Sequence, residues 1–391
     1  MLEEMQERRR PDERSAGRRV RTVGVEEEFL LVSHDGRRCL PLASDVLSGA
    51  LEHDDGDLTT DGDGWISVCR ELQEQQVETN TQIHADLAGL EDDVVRARRR
   101  LVRAAEAFGA RVVASATCPV PAQPTITRSS RYEWMAERFG MTATDGLVSG
   151  LHVHVSVESD EEGVGVLDRV RTWLPVLVAL SANSPFWQGR DTRYESYRSQ
   201  LWSAWPTAAP QEVFGSAAAY HGEVARMISS GVVLDEKMVY FPARLSSHYP
   251  TVEIRVADVC LYAQDTVLVA ALCRALVETA AREWRSGRPS PVVSATMLRM
   301  MQWQAARDGM DGELVHPDLL EPRSSRAVVR ALVDHVREAL RDSGDEARVS
   351  ELLERLLRRG TGARRQREVL ERTGRLNAVV LDAARATYSG D

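Results

Sequence analysis

The chain has 391 residues, of which 43% are hydrophobic and 28% are charged, a composition typical of a folded, water-soluble protein. Its formal net charge of −10 argues against general nucleic-acid binding. No run of 18 apolar residues occurs, which argues against a membrane span. The five cysteines are scattered and form no CxxC pair, which argues against a disulfide framework or a zinc knuckle. We therefore expect a cytoplasmic protein without a nucleic-acid or membrane partner.

The predicted elements divide the chain into a mixed first part and a helical last part. Residues 1–19 are polar and charged, which predicts a disordered tail, and residues 20–391 predict a single domain that is helical from about residue 262. Strands are predicted at 22–32, 71–81, 111–116, 151–157, 238–245 and 251–259. Helices are predicted at 42–51, 84–108, 131–139, 164–182, 211–229, 263–286, 291–308, 325–341, 347–359 and 363–387. Because the strands precede residue 260 and do not alternate strictly with helices, the pattern favours an α+β fold with a mostly antiparallel sheet and helices on one face.

Several predicted strands carry charged or imidazole side chains two residues apart on an otherwise apolar background. Residues two apart on a strand share one face of the sheet. The pairs are Glu26 with Glu28, His152 with His154, and Glu253 with Arg255, and Glu74 and Glu78 also share a face of their segment. Glu27 interrupts the alternation, and we expect its side chain to point outward.

Together these side chains would place at least five carboxylates, two imidazoles and a guanidinium on one face of the sheet. Unpaired buried charge is costly, so we expect bound divalent cations to neutralise it. Carboxylates with one imidazole suit Mg²⁺ or Mn²⁺. Two alternatives stay open: the HxH pair is also typical of zinc hydrolases, and each Glu or His could instead have only a structural partner.

Arginines near these strands add positive charge. Arg255 has a planar fork that suits a phosphate or a substrate carboxylate, although an ion pair with a neighbouring Glu is the alternative. Arg244 and the loop residues Arg190, Arg193 and Arg198 add to this charge. Neither a GxxxxGK[ST] nor a GxGxxG motif occurs. Metal ligands with arginines therefore indicate nucleoside triphosphate chemistry without a P-loop.

Five segments occur in an order and spacing that resemble a known family from about residue 20 to 300. They are TVGVEEEFLLV, LQEQQVETNT, SGLHVHVSV, LSANSPFWQGRDTRYESYRSQLWSAWP and HYPTVEIRVADV. In these segments the chain resembles the carboxylate-amine ligases of the glutamate–cysteine ligase type 2 family, within the glutamine synthetase-like superfamily. The resemblance implies a catalytic domain with an antiparallel sheet of about six strands, which forms a funnel around ATP and metal ions.

The resemblance also implies roles for individual residues. It implies metal ligands at Glu26, Glu28, Glu78, His152 and Glu253, with Glu74 as a further candidate. It implies ATP contacts from Arg255, Arg244 and His154, catalytic roles for Arg255 and Arg198, and a substrate pocket bordered by Thr192, Tyr194, Ser196 and Arg198. Two features depart from the family pattern: Arg193 stands where a small residue is expected, and residues 238–245 are less polar than expected.

The reaction implied by the resemblance is a two-step ligation that uses ATP, Mg²⁺ (or Mn²⁺), glutamate and an amine such as cysteine. The γ-carboxylate of glutamate first takes the γ-phosphoryl group of ATP, and the amine then displaces phosphate from the acyl phosphate. Such a product would belong to glutathione-like thiol biosynthesis. The alternatives are a phosphotransferase of the same fold family, a zinc-dependent hydrolase and a non-catalytic nucleotide-binding protein. The amphipathic C-terminal helices are compatible with a homodimer and equally with packing on their own domain.

Overall fold

The structure is a computed structural model that describes residues 20–52, 58–59 and 66–389. The disordered tail predicted for residues 1–19 lies outside the described residues. Within the described ranges, no helix combines the length and the apolar character that a membrane crossing requires.

A mixed sheet of eight strands forms the centre of the fold. Its strands are β1 (Val23–Ser33), β2 (Leu58–Thr59), β3 (Ile66–Arg70), β4 (Gln76–Asn80), β5 (Ala110–Val113), β6 (Gly150–Ser156), β9 (Ala243–Leu245) and β10 (Thr251–Asp258). They follow the order β2-β3-β4-β1-β6-β10-β9, and β5 pairs with β1. All pairs are antiparallel except β2 with β3. Two separate hairpins are formed by β7 (Phe186–Trp187) with β8 (Arg190–Asp191) and by β11 (Glu313–Val315) with β12 (Pro322–Ser324).

The predicted α+β class and the mostly antiparallel sheet are confirmed, and the number of strands is larger than expected. The six predicted strands all contribute to the sheet, and the short strands β2 and β3 extend it beyond β4. Two predicted strands, β4 and β9, begin several residues later than expected. The chain turns before β4, where the Gln76 amide donates to the Gln73 carbonyl at 3.0 Å. Before β9 the chain forms a 3₁₀ turn at Glu236–Met238. Pro242 follows, and it has no amide proton to donate to a neighbouring strand.

Fourteen helices accompany the strands in the described part of the chain. They are α1 (Ala43–Glu52), α2 (Leu87–Ala107), α3 (Ser130–Phe139), α4 (Met141–Thr144), α5 (Asp160–Val170), α6 (Leu174–Ser181), α7 (Arg198–Trp202), α8 (Ala217–Ser229), α9 (Ala263–Arg285), α10 (Ala295–Asp308), α11 (Ser325–Ser343), α12 (Glu346–Arg359), α13 (Gly362–Thr373) and α14 (Leu376–Ser389). From α9 onward the chain is mostly helical, as predicted, but the β11–β12 hairpin was not predicted. The single helix predicted at 363–387 is two helices, because Gly374 adopts a left-handed conformation (φ 65°) that ends α13.

The two faces of the sheet differ in character, and this difference positions the site. One face carries apolar side chains such as Val25, Val153 and Ile254, which are buried in the main core cluster together with residues of α5, α6 and α9. The other face carries the alternating charged and imidazole residues. The sequence alternation therefore assigns the open face and the helix-covered face of β1, β6 and β10 correctly.

The expectation that the Glu27 side chain points outward is wrong. Its side chain does not point outward but lies on the helix-covered face, with only 1% of the residue exposed. Arg98 of α2 donates from Nε to its Oε2 at 3.0 Å and from Nη2 to its Oε1 at 2.5 Å. The Thr266 hydroxyl of α9 also donates to Oε1, at 2.6 Å. A charge among apolar residues is tolerated here because two helices supply its partners.

Candidate functional site

Strand register brings the charged side chains of the open face together. Glu26 of β1 stands opposite His152 of β6, and Glu28 of β1 stands opposite Glu78 of β4. On the far side of β6, His154 stands opposite Glu253 of β10. Residues that face each other across a ladder have neighbouring side chains. Four strands that are distant in sequence therefore build one continuous polar surface.

This surface forms the wall of a cavity of about 1330 Å³. The charged and imidazole residues that line it are Glu26, Glu28, Glu71, Glu78, Arg131, His152, His154, Lys237, Arg244, His248, Glu253 and Arg255. The other lining residues include Gln73, Gln76, Tyr132, Met135, Trp202, Trp205, Tyr240, Ser246, Ser247 and Tyr249. Among the residues predicted as metal ligands or ATP contacts, all but Glu74 therefore line a single cavity.

Three overlapping groups of side chains in this cavity have the geometry of a metal site. They are Glu26 with Glu78 and His152, Glu26 with His154 and Glu253, and Glu28 with Glu71 and Glu78. Within each group the possible ligand atoms lie within 4.8 Å of one another. Every group contains at least two carboxylates, which suits Mg²⁺ or Mn²⁺ better than the histidine-rich set of a zinc hydrolase.

The residues present also leave a nitrogen free for a ligand. His152 Nε2 is buried and has no hydrogen-bond partner among the described residues, and it lies 3.8 Å from Glu28 Oε1. The other ring nitrogen, Nδ1, lies 3.0 Å from Glu26 Oε2. Buried polar atoms are normally paired, so this unpaired nitrogen beside two carboxylates fits a bound cation.

The carboxylates on the β4 side of the cavity repel one another. Burial raises the pKa of Glu71 to about 8, and the charges of Glu28 and Glu26 add to this effect. Burial also raises the pKa of Glu78 well above its ordinary value, together with the charges of Glu26, Glu71 and Glu28. A divalent cation between these groups would favour their ionised forms. The electrostatics of this end of the cavity thus indicate a place for positive charge.

On the β10 side of the cavity, positively charged neighbours lower the pKa values of the carboxylates. Burial alone would raise the pKa of Glu26, but His154 and His152 outweigh it and hold this pKa well below its ordinary value. In the same way Arg255 and Arg244 outweigh burial and lower the pKa of Glu253 to about 2. The cavity therefore combines a carboxylate-rich end with an end that contains two guanidinium groups.

Arg255 forms an ion pair with a neighbouring Glu, as the alternative reading of the sequence predicted, but its partner Glu253 lies on the same strand. Its Nη1 donates to Glu253 Oε1, while Arg244 donates to the same carboxylate from Nε at 2.7 Å and from Nη2 at 3.1 Å. Arg255 Nε is buried and has no partner in the described part of the chain. Arg255 thus keeps donor capacity toward a ligand although it is paired with Glu253.

The prediction that Glu74 is a metal ligand is wrong in position, because its side chain lies outside the cavity. Glu71 lines the cavity instead and was not predicted. Glu74 accepts hydrogen bonds from the Ser44 amide at 3.1 Å and from its hydroxyl at 2.9 Å, at the start of α1. The strand alternation does not extend back to Glu74 because β4 begins only at Gln76, after the turn. This turn brings Glu71 into the cavity instead. Its only signal in the sequence is a carboxylate that directly precedes the LQEQQVETNT segment.

The loop residues predicted to border the substrate pocket do not line the cavity. Thr192 donates to the Pro185 carbonyl at 2.8 Å, and Ser196 is buried and donates to Asp258 at 2.8 Å. The Tyr194 hydroxyl accepts a hydrogen bond from Trp303 Nε1 at 3.1 Å. These side chains hold the loop in place. Arg193, where a small residue was expected, has a left-handed backbone (φ 63°), a conformation that favours glycine.

Arg198 is also absent from the cavity lining, although it lies near Arg255. Its guanidinium stacks on Trp202, 5.6 Å from the ring centroid, and it is almost fully buried. The contact of Arg198 with substrate stays a prediction, because Arg198 does not line the main cavity. The same segment supplies Trp202 and Trp205 to the cavity wall, where Tyr240 packs against both rings at 4.9 and 5.3 Å between centroids. No role for these aromatic residues was predicted from the sequence.

Comparison with known proteins places this arrangement in a family. Residues 22–382 match the model of glutamate–cysteine ligase family 2. A protein of Streptomyces avermitilis, provisionally named glutamate–cysteine ligase 2-1, is 51% identical over 369 residues, which are 94% of this chain and 99% of that protein. A protein of Streptomyces coelicolor with the provisional name glutamate–cysteine ligase 2 is 52% identical over 371 residues, which are 95% of this chain and 100% of that protein.

Solved structures share the fold at low sequence identity. A glutamate–cysteine ligase of Francisella tularensis in complex with AMP superimposes with a TM-score of 0.67 and 14% identity, over 94% of this chain and 88% of that one. A bifunctional glutathione synthetase of Pasteurella multocida gives a TM-score of 0.66 and 14% identity, over 94% of this chain and 52% of that one. These two likenesses concern the fold, whereas the family model and the Streptomyces relatives cover nearly the whole sequence. The chain belongs to glutamate–cysteine ligase family 2, a family of ATP-dependent carbon–nitrogen ligases.

Proposed function

We propose that this protein joins the γ-carboxylate of glutamate to an amine, with cysteine as the first candidate, and that it uses ATP and Mg²⁺ (or Mn²⁺). The observation that carries this proposal is the cavity of about 1330 Å³ in which three carboxylate-rich ligand groups face the guanidinium of Arg255. The family membership supports the same activity.

The side chains that would hold the metal ions are shared between neighbouring groups. They are Glu26, Glu28, Glu71, Glu78, His152, His154 and Glu253. Divalent cations at these positions would neutralise the β- and γ-phosphates of ATP and help to orient them. Glu26 and Glu78 each belong to two of the three groups, so either residue would fix the spacing between two ions.

Arg255 would act where negative charge is transferred. In the first step a γ-carboxylate oxygen of glutamate attacks the γ-phosphorus of ATP, the bond from that phosphorus to the bridging oxygen breaks, and ADP leaves. A planar guanidinium suits the charge on the transferred phosphoryl oxygens. Arg255 is held in position by Glu253 and by contact with Trp202, 5.9 Å from its ring centroid, so little reorganisation is needed during the reaction.

The second step needs positioning more than a nucleophilic side chain. The amine nitrogen attacks the carbonyl carbon of the acyl phosphate, the bond from that carbon to the phosphate oxygen breaks, and the amine loses a proton. Inorganic phosphate and an amide are the products. Trp202, Trp205 and Tyr240 offer planar apolar surface that would accept the nucleobase and exclude water from the reactive acyl group. With ATP, glutamate and cysteine as the proposed substrates, we also propose a cytoplasmic location and a role in thiol biosynthesis.

The test is ADP release from ATP and Mg²⁺ with glutamate, measured across a panel of amino acids and amines that includes cysteine. We expect ADP release that requires both glutamate and one amine, with equal amounts of ADP, phosphate and amide. ADP formation without free phosphate, together with a stable phosphorylated product, would instead identify a phosphotransferase. Hydrolysis of an amide without ATP would contradict the proposal in favour of a metal-dependent hydrolase.

A further inference from the structure

Two cysteine side chains that have no part in the proposed reaction meet beside the sheet. Cys39 follows the turn after β1 and pairs with Val32 in an isolated antiparallel bridge. Cys118 follows β5 and is buried in the same apolar cluster as Val32, and Cys39 packs against this cluster. The Cys39 and Cys118 side chains are hydrogen-bonded to each other. The fold therefore brings two thiols that are distant in sequence into contact.

The two thiols differ in their exposure to solvent. Both are free thiols, and Cys39 is half-buried whereas Cys118 is buried. A dissolved oxidant would therefore reach Cys39 first. Cys118 lies in the position of a resolving thiol, the second cysteine that closes a disulfide with an oxidised neighbour.

The pair is expected to react slowly. The hydrogen bond with Cys118, together with burial, raises the pKa of Cys39 well above its ordinary value, so only a small fraction is thiolate at neutral pH. Closure of the disulfide is nevertheless favoured once Cys39 is oxidised, because a thiol in contact has a high effective concentration. The contact between the thiols thus determines the product, and the pKa determines the rate.

Both cysteines lead into segments that hold the turn before β4. The segment after Cys39 leads to α1, where the Ala43 amide donates to the Glu74 carbonyl at 2.9 Å. The segment after Cys118 leads to Thr125, whose carbonyl accepts from the Glu74 amide at 2.8 Å. The backbone of Glu74 is thus held from two sides, by one segment from each cysteine.

The same turn carries Glu71, a member of one of the possible metal-ligand groups. The Thr127 hydroxyl donates to the Glu71 carbonyl at 2.6 Å, and the Thr127 amide donates to the Leu72 carbonyl at 2.9 Å. A movement of residues 118–127 relative to residues 39–43 would therefore move the backbone that positions this carboxylate in the cavity.

We propose that Cys39 and Cys118 are a redox modification site, at which a low-molecular-weight disulfide oxidises them to a reversible disulfide that weakens metal binding at Glu71. The Cys39 thiolate attacks one sulfur of the external disulfide, whose S–S bond breaks and releases one thiol. The Cys118 sulfur then attacks the Cys39 sulfur, and the second thiol leaves. Two electrons and two protons pass from the protein to the external disulfide, which becomes two thiols.

Disulfide formation would shift the two segments that hold the turn. Bonded sulfurs lie about 2.0 Å apart, which is closer than hydrogen-bonded thiols can approach. The segments after Cys39 and Cys118 must therefore move toward each other, and the hydrogen bonds to Glu74 and Glu71 must adjust. The effect on metal binding rests on the proposed function, whereas formation of the disulfide does not depend on it.

The first experiment tests the disulfide in the full-length protein. The protein is reduced, freed of reductant and incubated with oxidised glutathione, and its remaining thiols are then alkylated and its peptides mapped by mass spectrometry. We expect two of the five cysteines to lose their thiols, a cross-linked pair of peptides that contains Cys39 and Cys118, and recovery of both thiols with dithiothreitol. A protein that keeps all five thiols, or that stops at a mixed disulfide on Cys39, would overturn the proposal.

Two variants assign the reaction to this pair. Cys39→Ser removes the accessible thiol with little change in size, and we expect it to form no intramolecular disulfide. Cys69→Ser is the matched control, since Cys69 is the other half-buried cysteine, and this variant should still form the disulfide. Loss of the disulfide in Cys69→Ser, or its persistence in Cys39→Ser, would place the reactive pair elsewhere and overturn the proposal.

The second experiment measures the effect on metal binding, without ATP and without turnover. Mn²⁺ is titrated into the reduced and the oxidised protein, and we expect the oxidised form to bind it about tenfold more weakly, a typical effect of disturbing the groups that position a ligand. Cys39→Ser treated with the same oxidant should keep the affinity of its reduced form. Equal Mn²⁺ affinities in the two forms of the wild type would overturn the control of the metal site. A disulfide in a protein that binds no Mn²⁺ in either form would support the modification site and contradict the proposed function.

Discussion

At the scale of single residues, the site contains carboxylates that each belong to two of the possible metal-ligand groups. Glu78 belongs to the ligand groups of both His152 and Glu71. Its segment also contains Glu74, which is chemically identical but bonds to Ser44 at the start of α1. These two residues form a matched pair, because one faces the cavity and the other faces a helix N-terminus.

We predict that Glu78→Gln abolishes ATP turnover and weakens Mn²⁺ binding, because the substitution removes a ligand charge and preserves the shape of the side chain. Glu74→Gln should keep both properties and lower the stability by only about 1 kcal/mol, the typical effect of a weakened helix cap. ADP release and Mn²⁺ titration of the two variants test this. Equal losses in both variants would show that the cavity geometry does not identify the metal ligands.

We predict that Arg255→Lys lowers kcat by about 100-fold, the typical loss when one preorganised donor to a developing charge is removed. Lysine keeps the charge but offers neither the planar fork nor the contact of a guanidinium with Trp202. Steady-state kinetics with ATP, glutamate and the identified amine would measure it, with circular dichroism to verify folding. A change in KM for ATP alone, with kcat unchanged, would indicate a binding role without transition-state stabilisation.

The sequence predicted which residues of the regular strands share the cavity face, but it did not indicate the cavity residue Glu71, which lies outside a regular strand. Glu26, Glu28, His152, His154 and Glu253 follow a strict alternation, which assigns them to one face. Glu71 reaches the cavity through a turn that alternation cannot describe. The loop side chains Thr192, Tyr194 and Ser196 have the polarity of ligand contacts, but tertiary hydrogen bonds use them within the protein.

At the scale of elements, one buried ion pair connects the central strand to two helices. Glu27 of β1 bonds with Arg98 of α2, and Arg98 also donates to the carbonyls of Cys260 and Leu261, which precede α9. The same guanidinium lies 5.4 Å from the ring of Phe29. Because β1 carries Glu26 and Glu28 on its other face, this contact also sets the position of the metal-binding side chains.

We predict that Glu27→Gln lowers the free energy of unfolding by about 3–5 kcal/mol, because it leaves the buried charge of Arg98 uncompensated. The double variant Glu27→Leu with Arg98→Met should recover much of this loss, since no unpaired charge remains. Urea unfolding of the wild type, the single variant and the double variant measures the difference. A double variant that is less stable than Glu27→Gln would show that packing, and not charge pairing, dominates at this position.

The pattern of predicted and unpredicted elements has a physical cause. Long apolar helices and alternating strands were predicted because their periodicity extends over several turns or residues. The strand β2 has only two residues, too few for a period to be recognised. A helix end such as the one at Gly374 depends on the backbone conformation of one residue. The helical pattern of the surrounding sequence therefore did not predict it.

At the scale of the whole molecule, an acidic protein concentrates carboxylates where they repel one another. The pKa of Glu71 is raised from its ordinary value of 4.5 to about 8 by burial and by the charges of Glu28 and Glu26. Burial and neighbouring charges also raise the pKa of Glu78. In the absence of metal, the unfolded chain therefore releases these protons at lower pH than the folded protein does. The folded state binds more protons between about pH 4.5 and 8, so its stability falls as pH rises through this range.

We predict that the metal-free protein melts at lower temperature at pH 8 than at pH 6. His154, whose pKa Glu26 raises against the effect of burial, contributes in the same direction, whereas His152, whose pKa burial lowers, opposes it. The carboxylate contribution is isolated by comparison with Glu71→Gln, in which the melting temperature should depend less on pH. Calorimetric melting curves in EDTA provide the measurement. A wild-type melting temperature that falls between pH 6 and pH 8 no more than that of Glu71→Gln would contradict the prediction.

Metal binding should reverse the dependence of stability on pH. Ligand carboxylates must be ionised to coordinate a cation, so metal affinity increases with pH. We predict that saturating Mg²⁺ raises the melting temperature more at pH 8 than at pH 6, because at pH 6 the cation competes with the protons held by Glu71 and Glu78. In Glu78→Gln the increase should be small at both pH values. An Mg²⁺ effect of equal size at pH 6 and pH 8 that persists in Glu78→Gln would place the cation away from the paired carboxylates of β1 and β4.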